Sequence, residues 1–151
     1  MSINQQKIIA LANQFELTDS KAVELFASKS SWEDKFRQLM LLGKQLPLLP
    51  PELQLDEYLV SGCESKVWLM YEWQGEILHL AAGSDAKIVK GLVSIVLAAF
   101  NNKSAIQINQ FDLDSYFKQL NLLNQLSPSR ANGVHAIVAK IKNITNKSLQ
   151  L

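Results

Sequence analysis

The hydrophobic residues of this chain follow a helical spacing at both ends and a different pattern in the middle. Ile8, Leu11, Ala12 and Phe15 recur at intervals of three or four residues, which is typical of one face of a helix. Residues 66–82 instead form two largely apolar segments on either side of a glycine, which indicates a β-hairpin. Helical spacing returns after residue 85. This order of elements predicts an α+β fold.

Polar residues that can cap a helix mark the helix starts predicted in the first third of the chain. Thr18 or Asp19 can cap a short second helix, and Ser31 can cap a third. Asp34 stands three residues after Ser31 as a variant of the capping box, and Gly43 is expected to end this third helix. Its predicted apolar stripe consists of Trp32, Phe36, Leu39 and Met40.

The predicted hairpin follows an extended connector. The prolines within residues 47–51 exclude a regular helix, and Glu57–Val60 is predicted as a short third strand of the sheet. For the hairpin we expect strands at Lys66–Trp73 and Glu76–Ala82, joined by a two-residue turn at Gln74-Gly75. The face expected to form the core carries Val67, Leu69, Tyr71, Leu78, Leu80 and Ala82.

The second half of the chain predicts three helices. Gly83-Ser84-Asp85 is expected to begin a long helix that is apolar on most sides and therefore central, between the sheet and other helices. A shorter helix capped by Asp112 is expected next. Ser127 and Pro128 begin the last helix, which should run to about Asn143. We therefore expect a two-layer α+β domain, with a small antiparallel sheet packed against several helices.

Composition narrows the class of protein. The 151 residues suit one domain, 1–151, in which residues 1–28 would be a helical N-terminal extension. A net charge of +1 and 19% charged residues argue against nucleic acid or a membrane as a partner. The longest apolar run, from Gly91 to Phe100, is shorter than the ~20 residues of a membrane helix, and a single cysteine cannot form an internal disulfide. We expect a cytoplasmic protein.

The one cysteine of the chain lies in an unusual place for a packing residue. Cys63 follows Gly62 and precedes Glu64, in a polar bend that leads into an apolar strand. A cysteine that serves as a small hydrophobic residue usually lies inside an apolar segment, and loops carry reactive groups. An inert, half-buried thiol is the alternative interpretation. A neighbouring carboxylate such as Glu64 raises the pKa of a thiol and lowers its resting reactivity.

A cation interrupts the apolar stripe of the last helix. That stripe is predicted to consist of Val134, Ile137, Val138 and Ile141, and helical spacing places Arg130 on it, close to an N-terminus that disfavours positive charge. An inward-facing arginine needs an anionic partner. One interpretation is an ion pair with Asp85 that ties two helix starts together. The other is that Arg130 supplies positive charge beside Cys63, and the two can hold together.

The usual catalytic sets are missing from the sequence. It contains no glycine-rich phosphate loop, no HExxH and no second cysteine for a redox couple. His79 and His135 are too isolated to predict a metal site. A single nucleophilic thiol without an evident base suits a protein that takes a group from another protein and passes it on.

Three motifs occur in order along the chain. They are Gly62-Cys63-Glu64-Ser65-Lys66-Val67-Trp68, the segment from Ser84-Asp85-Ala86 to Gly91-Leu92, and Ser127-Pro128-Ser129-Arg130-x-x-Gly133. With Leu42-Gly43-Lys44-Gln45-Leu46-Pro47, they make residues 30–142 resemble the SufE/CsdE family of sulfur acceptors, partners of cysteine desulfurases in iron–sulfur cluster assembly.

This resemblance implies a role for Cys63. The thiol would accept sulfane sulfur from the persulfide of a SufS/CsdA-type desulfurase, stimulate that enzyme, and deliver the sulfur to an iron–sulfur scaffold or another recipient. The pyridoxal phosphate belongs to the desulfurase, so no cofactor or metal is expected in this chain. Residues that would organise or shape the cysteine loop or the docking surface are Gly62, Glu64, Ser65, Ser84, Asp85 and Arg130.

Two alternatives belong to other classes of protein. One is a non-catalytic adaptor that binds a desulfurase while Cys63 is merely structural, and the other is a thiol-based peroxide sensor. For sulfur transfer, the cysteine must be sheltered in the isolated protein and exposed on docking. We therefore expect Cys63 to point toward apolar surface near the hairpin and the helix that follows Asp85.

Overall fold

The computed structural model describes residues 1–149, which form seven α-helices and a three-stranded antiparallel sheet. The helices are α1 (Ile3–Gln14), α2 (Asp19–Ala27), α3 (Trp32–Gly43), α4 (Lys87–Phe100), α5 (Ala105–Gln110), α6 (Leu113–Leu120) and α7 (Pro128–Leu149). The strands are β1 (Val67–Gln74), β2 (Ile77–Ser84) and β3 (Lys103–Ser104), in the order β1-β2-β3. The predicted α+β class is confirmed. Within residues 1–149, every helix is too short or too polar to cross a lipid bilayer.

The helix starts follow local capping chemistry. Thr18, Ser31 and Asp112 each accept a hydrogen bond from the backbone N–H three residues later, at 3.1 Å in every case. Ser127 does the same for the N–H of Arg130 at 3.3 Å. These side chains satisfy N–H groups that a helix leaves without a partner, which confirms the four predicted caps. The last helix continues to Leu149, beyond the predicted end.

The hairpin keeps the predicted faces but turns one residue later. Gln74 pairs with Ile77, so the turn consists of Gly75 and Glu76. Gly75 has a φ of +59°, a conformation that glycine adopts at low cost and that suits the first central position of a hairpin turn. Each partner therefore moves by two positions relative to the prediction. Because side chains alternate with a period of two, the same residues share each face.

Both faces of the sheet are covered. Most of the predicted core face of β1 and β2, including Leu69 and Leu80, packs in the main hydrophobic cluster with α4 and α7. The exception is Tyr71, which is 43% exposed and lines a cavity near the turn of the hairpin, so its predicted place in the core is wrong. The opposite face is buried under α1 and the connector, where Trp68 and Met70 pack with Ile8. The sequence pattern did not predict this second cluster.

The third strand is not the predicted segment. Residues Asp56–Tyr58 form a 3₁₀ turn, after which Leu59 makes a single β-bridge with Trp68. Pairing stops there because the chain bends away at residues 61–62, so Glu57–Val60 does not extend the sheet. β3 takes the third place instead and pairs with the start of β2.

The buried face of α3 differs from the predicted stripe. Phe36 is 37% exposed, whereas Lys35 is only 2% exposed. The Lys35 side chain crosses to the end of α6, where Nζ donates a hydrogen bond of 2.9 Å to the carbonyl oxygen of Asn121. A long aliphatic stem with a cation that caps a helix C-terminus can replace a hydrophobic residue. Trp32 and Met40 pack against the core as expected.

The central helix is α4, as predicted, but it begins later than predicted. Its N-cap is Ala86, while Ser84 still belongs to β2 and Asp85 lies in the bend between them. The side chains of Ser84 and Asp85 form hydrogen bonds with the backbone of Lys66, just after the loop that carries Cys63. They are therefore not the caps of this helix.

Candidate functional site

Cys63 lies in a short loop, residues 61–65, whose two ends are held by hydrogen bonds. At the upstream end the N–H of Val60 donates to the carbonyl oxygen of Val67 at 2.9 Å. At the downstream end the N–H of Lys66 donates to Oδ1 of Asp85 at 3.1 Å, and Ser84 Oγ donates to the carbonyl oxygen of Lys66 at 2.7 Å. Movement of this cysteine loop can therefore be confined to a few residues.

Gly62 provides the backbone conformation that the loop needs. Its φ is +91°, in the region that residues with a Cβ rarely adopt, and its Cα faces the side chain of Ala136 on α7. The turn at Gly62 aims the next residue, Cys63, toward the interior. This placement supports the prediction that Gly62 shapes the loop.

The Cys63 side chain points into a cavity of about 300 Å³, named here the Cys63 cavity. The thiol is half-buried, and its Sγ donates a weak hydrogen bond of 3.7 Å to the carbonyl oxygen of Gly133 on α7. The apolar walls come from β1, α4 and α7, and consist of Val67, Val89, Leu92, Val134 and Ile137. The expected position near the hairpin and the helix after Asp85 is confirmed, and α7 completes the enclosure.

Burial makes the resting thiol a weak acid. The pKa of Cys63 is raised above its ordinary value because desolvation disfavours the thiolate. The direction agrees with the sequence prediction, but burial is the cause and not the carboxylate of Glu64, whose side chain is exposed. The isolated protein therefore holds Cys63 mainly as a neutral thiol at neutral pH.

Arg130 does not face the core. It lies in the first turn of α7, where residues 127–130 are all exposed, and it lines the Cys63 cavity on its outer side. Within residues 1–149 it forms no ion pair, so the predicted pairing with Asp85 is wrong. Helical spacing correctly places Arg130 on the same face of α7 as Val134, but no element of residues 1–149 covers the first turn of α7. The guanidinium therefore keeps its water and needs no buried anion.

The predicted site residues come together around the cysteine loop in two groups. Cys63, Glu64, Ser65 and Arg130 all line the cavity. Ser84 and Asp85 stand behind the loop and hold its downstream end.

The residues of α7 and α4 that enclose the thiol are not predictable from the sequence pattern around Cys63. Gly133 occurs in the third motif and Leu92 in the second, but neither motif by itself shows that these residues lie beside Cys63. One signal was present: a glycine inside a helix costs about 1 kcal/mol relative to alanine, which sets Gly133 apart from its neighbours on α7.

A larger cavity, of about 670 Å³, lies at the other end of the hairpin near Trp73 and Ile106. Cys63, the only cysteine of the chain, lies outside it. In the described part of the chain, no three His, Cys, Asp or Glu side chains gather closely enough to hold a metal ion. The Cys63 cavity is therefore the candidate site.

Comparison with solved structures supports the fold. A solution structure of a hypothetical protein from Thermus thermophilus matches 90% of this chain and 100% of its own, with a TM-score of 0.68. Because the two sequences are only 18% identical, this likeness bears on the fold alone.

Comparison with known sequences identifies the family. A sulfur acceptor protein from Escherichia coli, CsdE, is 41% identical over 113 residues, which cover 74% of this chain and 77% of that protein. An uncharacterised SufE-like protein from Rhizobium meliloti is 39% identical over 125 residues, or 80% of this chain and 89% of the relative. The family model of SufE, described as an Fe-S metabolism associated domain, matches residues 20–145. The chain belongs to the SufE family.

Proposed function

We propose that this protein is a sulfur acceptor in iron–sulfur metabolism, with Cys63 as the residue that carries the sulfur. The observation that carries the proposal is the placement of the only cysteine on an anchored loop, facing a cavity that has apolar inner walls and an exposed arginine on its outer side. Membership of the SufE family and the name of the Escherichia coli relative, a sulfur acceptor protein, support the same chemistry.

The transfer is a thiol–persulfide exchange. The Cys63 thiolate attacks the outer sulfur of a cysteine persulfide on the donor, a bond forms between the two sulfurs, and the donor's own sulfur–sulfur bond breaks. The donor cysteine leaves as a thiolate, so no external oxidant or reductant is needed. Cys63 then holds the persulfide until a nucleophile of the recipient, such as an iron–sulfur scaffold, attacks the outer sulfur in the same way.

The donor that fits this step is a cysteine desulfurase of the SufS/CsdA type. Such an enzyme uses pyridoxal phosphate to place sulfur on its own cysteine, and it can turn over again only when that sulfur leaves. Removal of the sulfur by Cys63 would therefore stimulate the desulfurase. A thiol that must stay reduced between transfers fits a reducing compartment such as the cytoplasm.

Docking on the desulfurase has to expose Cys63 and favour its thiolate, because neither condition is met in the isolated protein. The resting thiol is neutral and half-buried, so the loop must swing Cys63 out of the cavity, and Gly62 offers the backbone freedom for this movement. We propose that Arg130 and Glu64, both exposed at the cavity mouth, form part of the docking surface. Arg130 could then also stabilise an anionic sulfur that leaves the cavity.

Mass spectrometry tests the proposal. Incubation with a cysteine desulfurase and cysteine should add one sulfur atom to this protein, on the peptide that contains Cys63, and Cys63→Ser should abolish the addition. Binding to the desulfurase without added sulfur would instead show an adaptor. Oxidation of Cys63 by peroxide in the absence of a desulfurase, with no sulfur transfer, would show a redox sensor.

A further inference from the structure

We propose that Gly133 is the position that lets the Cys63 cavity admit a persulfide, an inference that rests on the proposed function. Gly133 lies inside α7, directly across from Cys63, and its carbonyl oxygen accepts the hydrogen bond of the thiol. The carbonyl oxygen of Gly133 thus positions the sulfur of Cys63 from one side. Because Gly133 has no side chain, space remains beside that sulfur.

The protein with a free thiol gives no reason for a glycine here. Gly133 is not among the glycines with positive φ, so its backbone conformation suits any residue. A Cβ built on Gly133 would lie 3.7 Å from Sγ and 3.9 Å from Cα of Cys63, which are ordinary van der Waals distances. Apart from its chain neighbours Asn132 and Val134 and the adjacent backbone of α7, no other part of residues 1–149 comes within 4 Å of that Cβ. Alanine would also be the better helix former.

Another helical glycine of this protein shows what a packing requirement looks like. A Cβ on Gly91 of α4 would lie 2.2 Å from the carbonyl oxygen of Leu39, on the backbone of α3. Only glycine allows that close approach of two helices. The absence of such a constraint at Gly133 leaves the sulfur chemistry of Cys63 as the reason for the glycine.

The persulfide supplies that reason. Persulfide formation adds a second sulfur about 2.0 Å from Sγ, and this atom needs clearance of its own. A methyl group at residue 133 would already touch Sγ and would occupy space beside it. The free thiol therefore tolerates alanine at position 133. In the persulfide, the outer sulfur and the methyl group of that alanine compete for the same space. The outer sulfur is then pushed toward solvent, where free thiols can attack it.

In the test, inorganic polysulfide converts Cys63 to its persulfide, so that no desulfurase is needed. In inorganic polysulfide the Cys63 thiolate attacks a sulfane sulfur, one sulfur–sulfur bond breaks, and a polysulfide dianion shorter by one sulfur leaves. The lifetime of the persulfide is then followed by mass spectrometry after addition of dithiothreitol. The variants are Gly133→Ala and the bulkier Gly133→Val, and Asn132→Ala, an exposed neighbour on the same helix, is the matched control.

We expect Gly133→Ala to shorten the persulfide lifetime at least fivefold, with a larger effect for Gly133→Val and none for Asn132→Ala. The alkylation rate of the free thiol in Gly133→Ala should stay close to that of the unchanged protein, and its thermal midpoint should be equal or higher. Equal persulfide lifetimes would overturn the inference, as would an equal increase in the alkylation of the free thiol, because that would mean general opening of the loop. Failure of the unchanged protein to hold the added sulfur would also overturn it.

This result is separable from the proposed function. If a desulfurase transfers no sulfur to Cys63 but Gly133→Ala still shortens the lifetime of a chemically loaded persulfide, the proposed function fails and the role of Gly133 stands. If a desulfurase does transfer sulfur to Cys63 but Gly133→Ala leaves the persulfide lifetime unchanged, the proposed function stands and the role of Gly133 fails.

Discussion

At the scale of single residues, Cys63 combines shelter with low resting reactivity. Its sulfur lies against apolar side chains and a carbonyl oxygen, and both favour the neutral thiol over the thiolate. No cation of residues 1–149 opposes this, because Arg130 extends into solvent at the cavity mouth and causes no shift in the pKa of the thiol. Under the proposed function, a thiol that becomes reactive only on docking would be protected from unrelated thiols, as would any sulfur that it carries.

The pH dependence of Cys63 alkylation measures this shelter. Because burial raises the pKa of the folded thiol, the rate with iodoacetamide should rise with pH around an inflection above that of the urea-unfolded chain. The proton is bound more tightly in the folded state, so its contribution to stability is present below the unfolded pKa and is lost as pH rises through the folded pKa. Cys63→Ser should remove both effects. An inflection at or below that of the unfolded chain would contradict this prediction.

Lys35 acts as a core residue in spite of its charge. Its side chain is 2% exposed, and its ammonium group caps the end of α6. We expect Lys35→Ala to lower the free energy of unfolding by about 2–4 kcal/mol, because it removes a buried aliphatic stem and leaves a cavity. Lys35→Met keeps that volume and should cost about 1 kcal/mol, the size of one hydrogen bond.

Urea unfolding measures these differences. Lys44→Ala, at an exposed lysine just beyond the end of α3, is the control and should change the free energy of unfolding by less than about 0.5 kcal/mol. If Lys35→Ala were as mild as Lys44→Ala, the side chain would not contribute to the core.

At the scale of elements, the bend between β2 and α4 controls the cysteine loop. Asp85 holds Lys66 at the downstream end of the loop by a hydrogen bond that spans nineteen residues of sequence. Without it the loop should open more often. A loss of about 1 kcal/mol corresponds to about a fivefold larger open fraction, so Asp85→Ala should raise the alkylation rate of Cys63 by about that factor.

A second acidic residue separates this effect from a change in net charge. Asp114 is exposed on α6 and lines no part of the Cys63 cavity, so Asp114→Ala should leave the alkylation rate unchanged. An unchanged rate in Asp85→Ala would mean that the loop is held without this hydrogen bond.

The packing of α3 on α4 depends on one glycine. Since a Cβ on Gly91 would lie 2.2 Å from the carbonyl oxygen of Leu39, Gly91→Ala should force the two helices apart and cost at least about 2 kcal/mol in urea unfolding. Gly133→Ala makes the same chemical change in another helix and should be neutral or stabilising. Equal effects of the two substitutions would contradict the packing argument.

At the scale of the whole molecule, the sheet lies between α1 on one face and α4 on the other. The Cys63 cavity opens on the side of α4 and α7, so α1 stabilises the fold without lining the site. The family model begins at residue 20 and does not include α1. We nevertheless propose that residues 1–28, although an N-terminal extension in sequence, are part of one domain.

Deletion of residues 1–17 tests this proposal. It would uncover the face that carries Trp68 and Met70 and would remove the buried side chains of Ile8 and Phe15. At about 1.5–3 kcal/mol for each large side chain, the loss should be about 3–6 kcal/mol and should come with binding of a hydrophobic dye. An unchanged urea midpoint would mean that α1 is a separate appendage.

Much of this fold is local and was therefore predictable. The caps at Thr18, Ser31, Asp112 and Ser127 involve partners three residues away, so their chemistry is visible in the sequence. The faces of the hairpin also survived a misplaced turn, because a shift of two positions preserves the alternation of side chains.

The predictions that were wrong share a different cause. Each depends on whether residues far apart in the chain come into contact. Lys35 is buried because the end of α6 packs against it, and Arg130 is exposed because nothing in the described part of the chain covers the first turn of α7. Glu57–Val60 does not form a strand because the loop that follows it bends toward α7. Periodicity cannot report which element lies opposite a given face.

The same division applies to the site. The residue types and motifs of the sequence were enough to select Cys63, to place it in a loop and to predict that it faces apolar surface. The carbonyl oxygen of Gly133, the wall from α7 and the anchoring of Lys66 by Asp85 emerged only from the folded chain. Single residues and short spacings are enough to identify the reactive residue. The burial of the thiol and the anchoring of its loop depend on elements that are far apart in sequence and meet only in the folded chain.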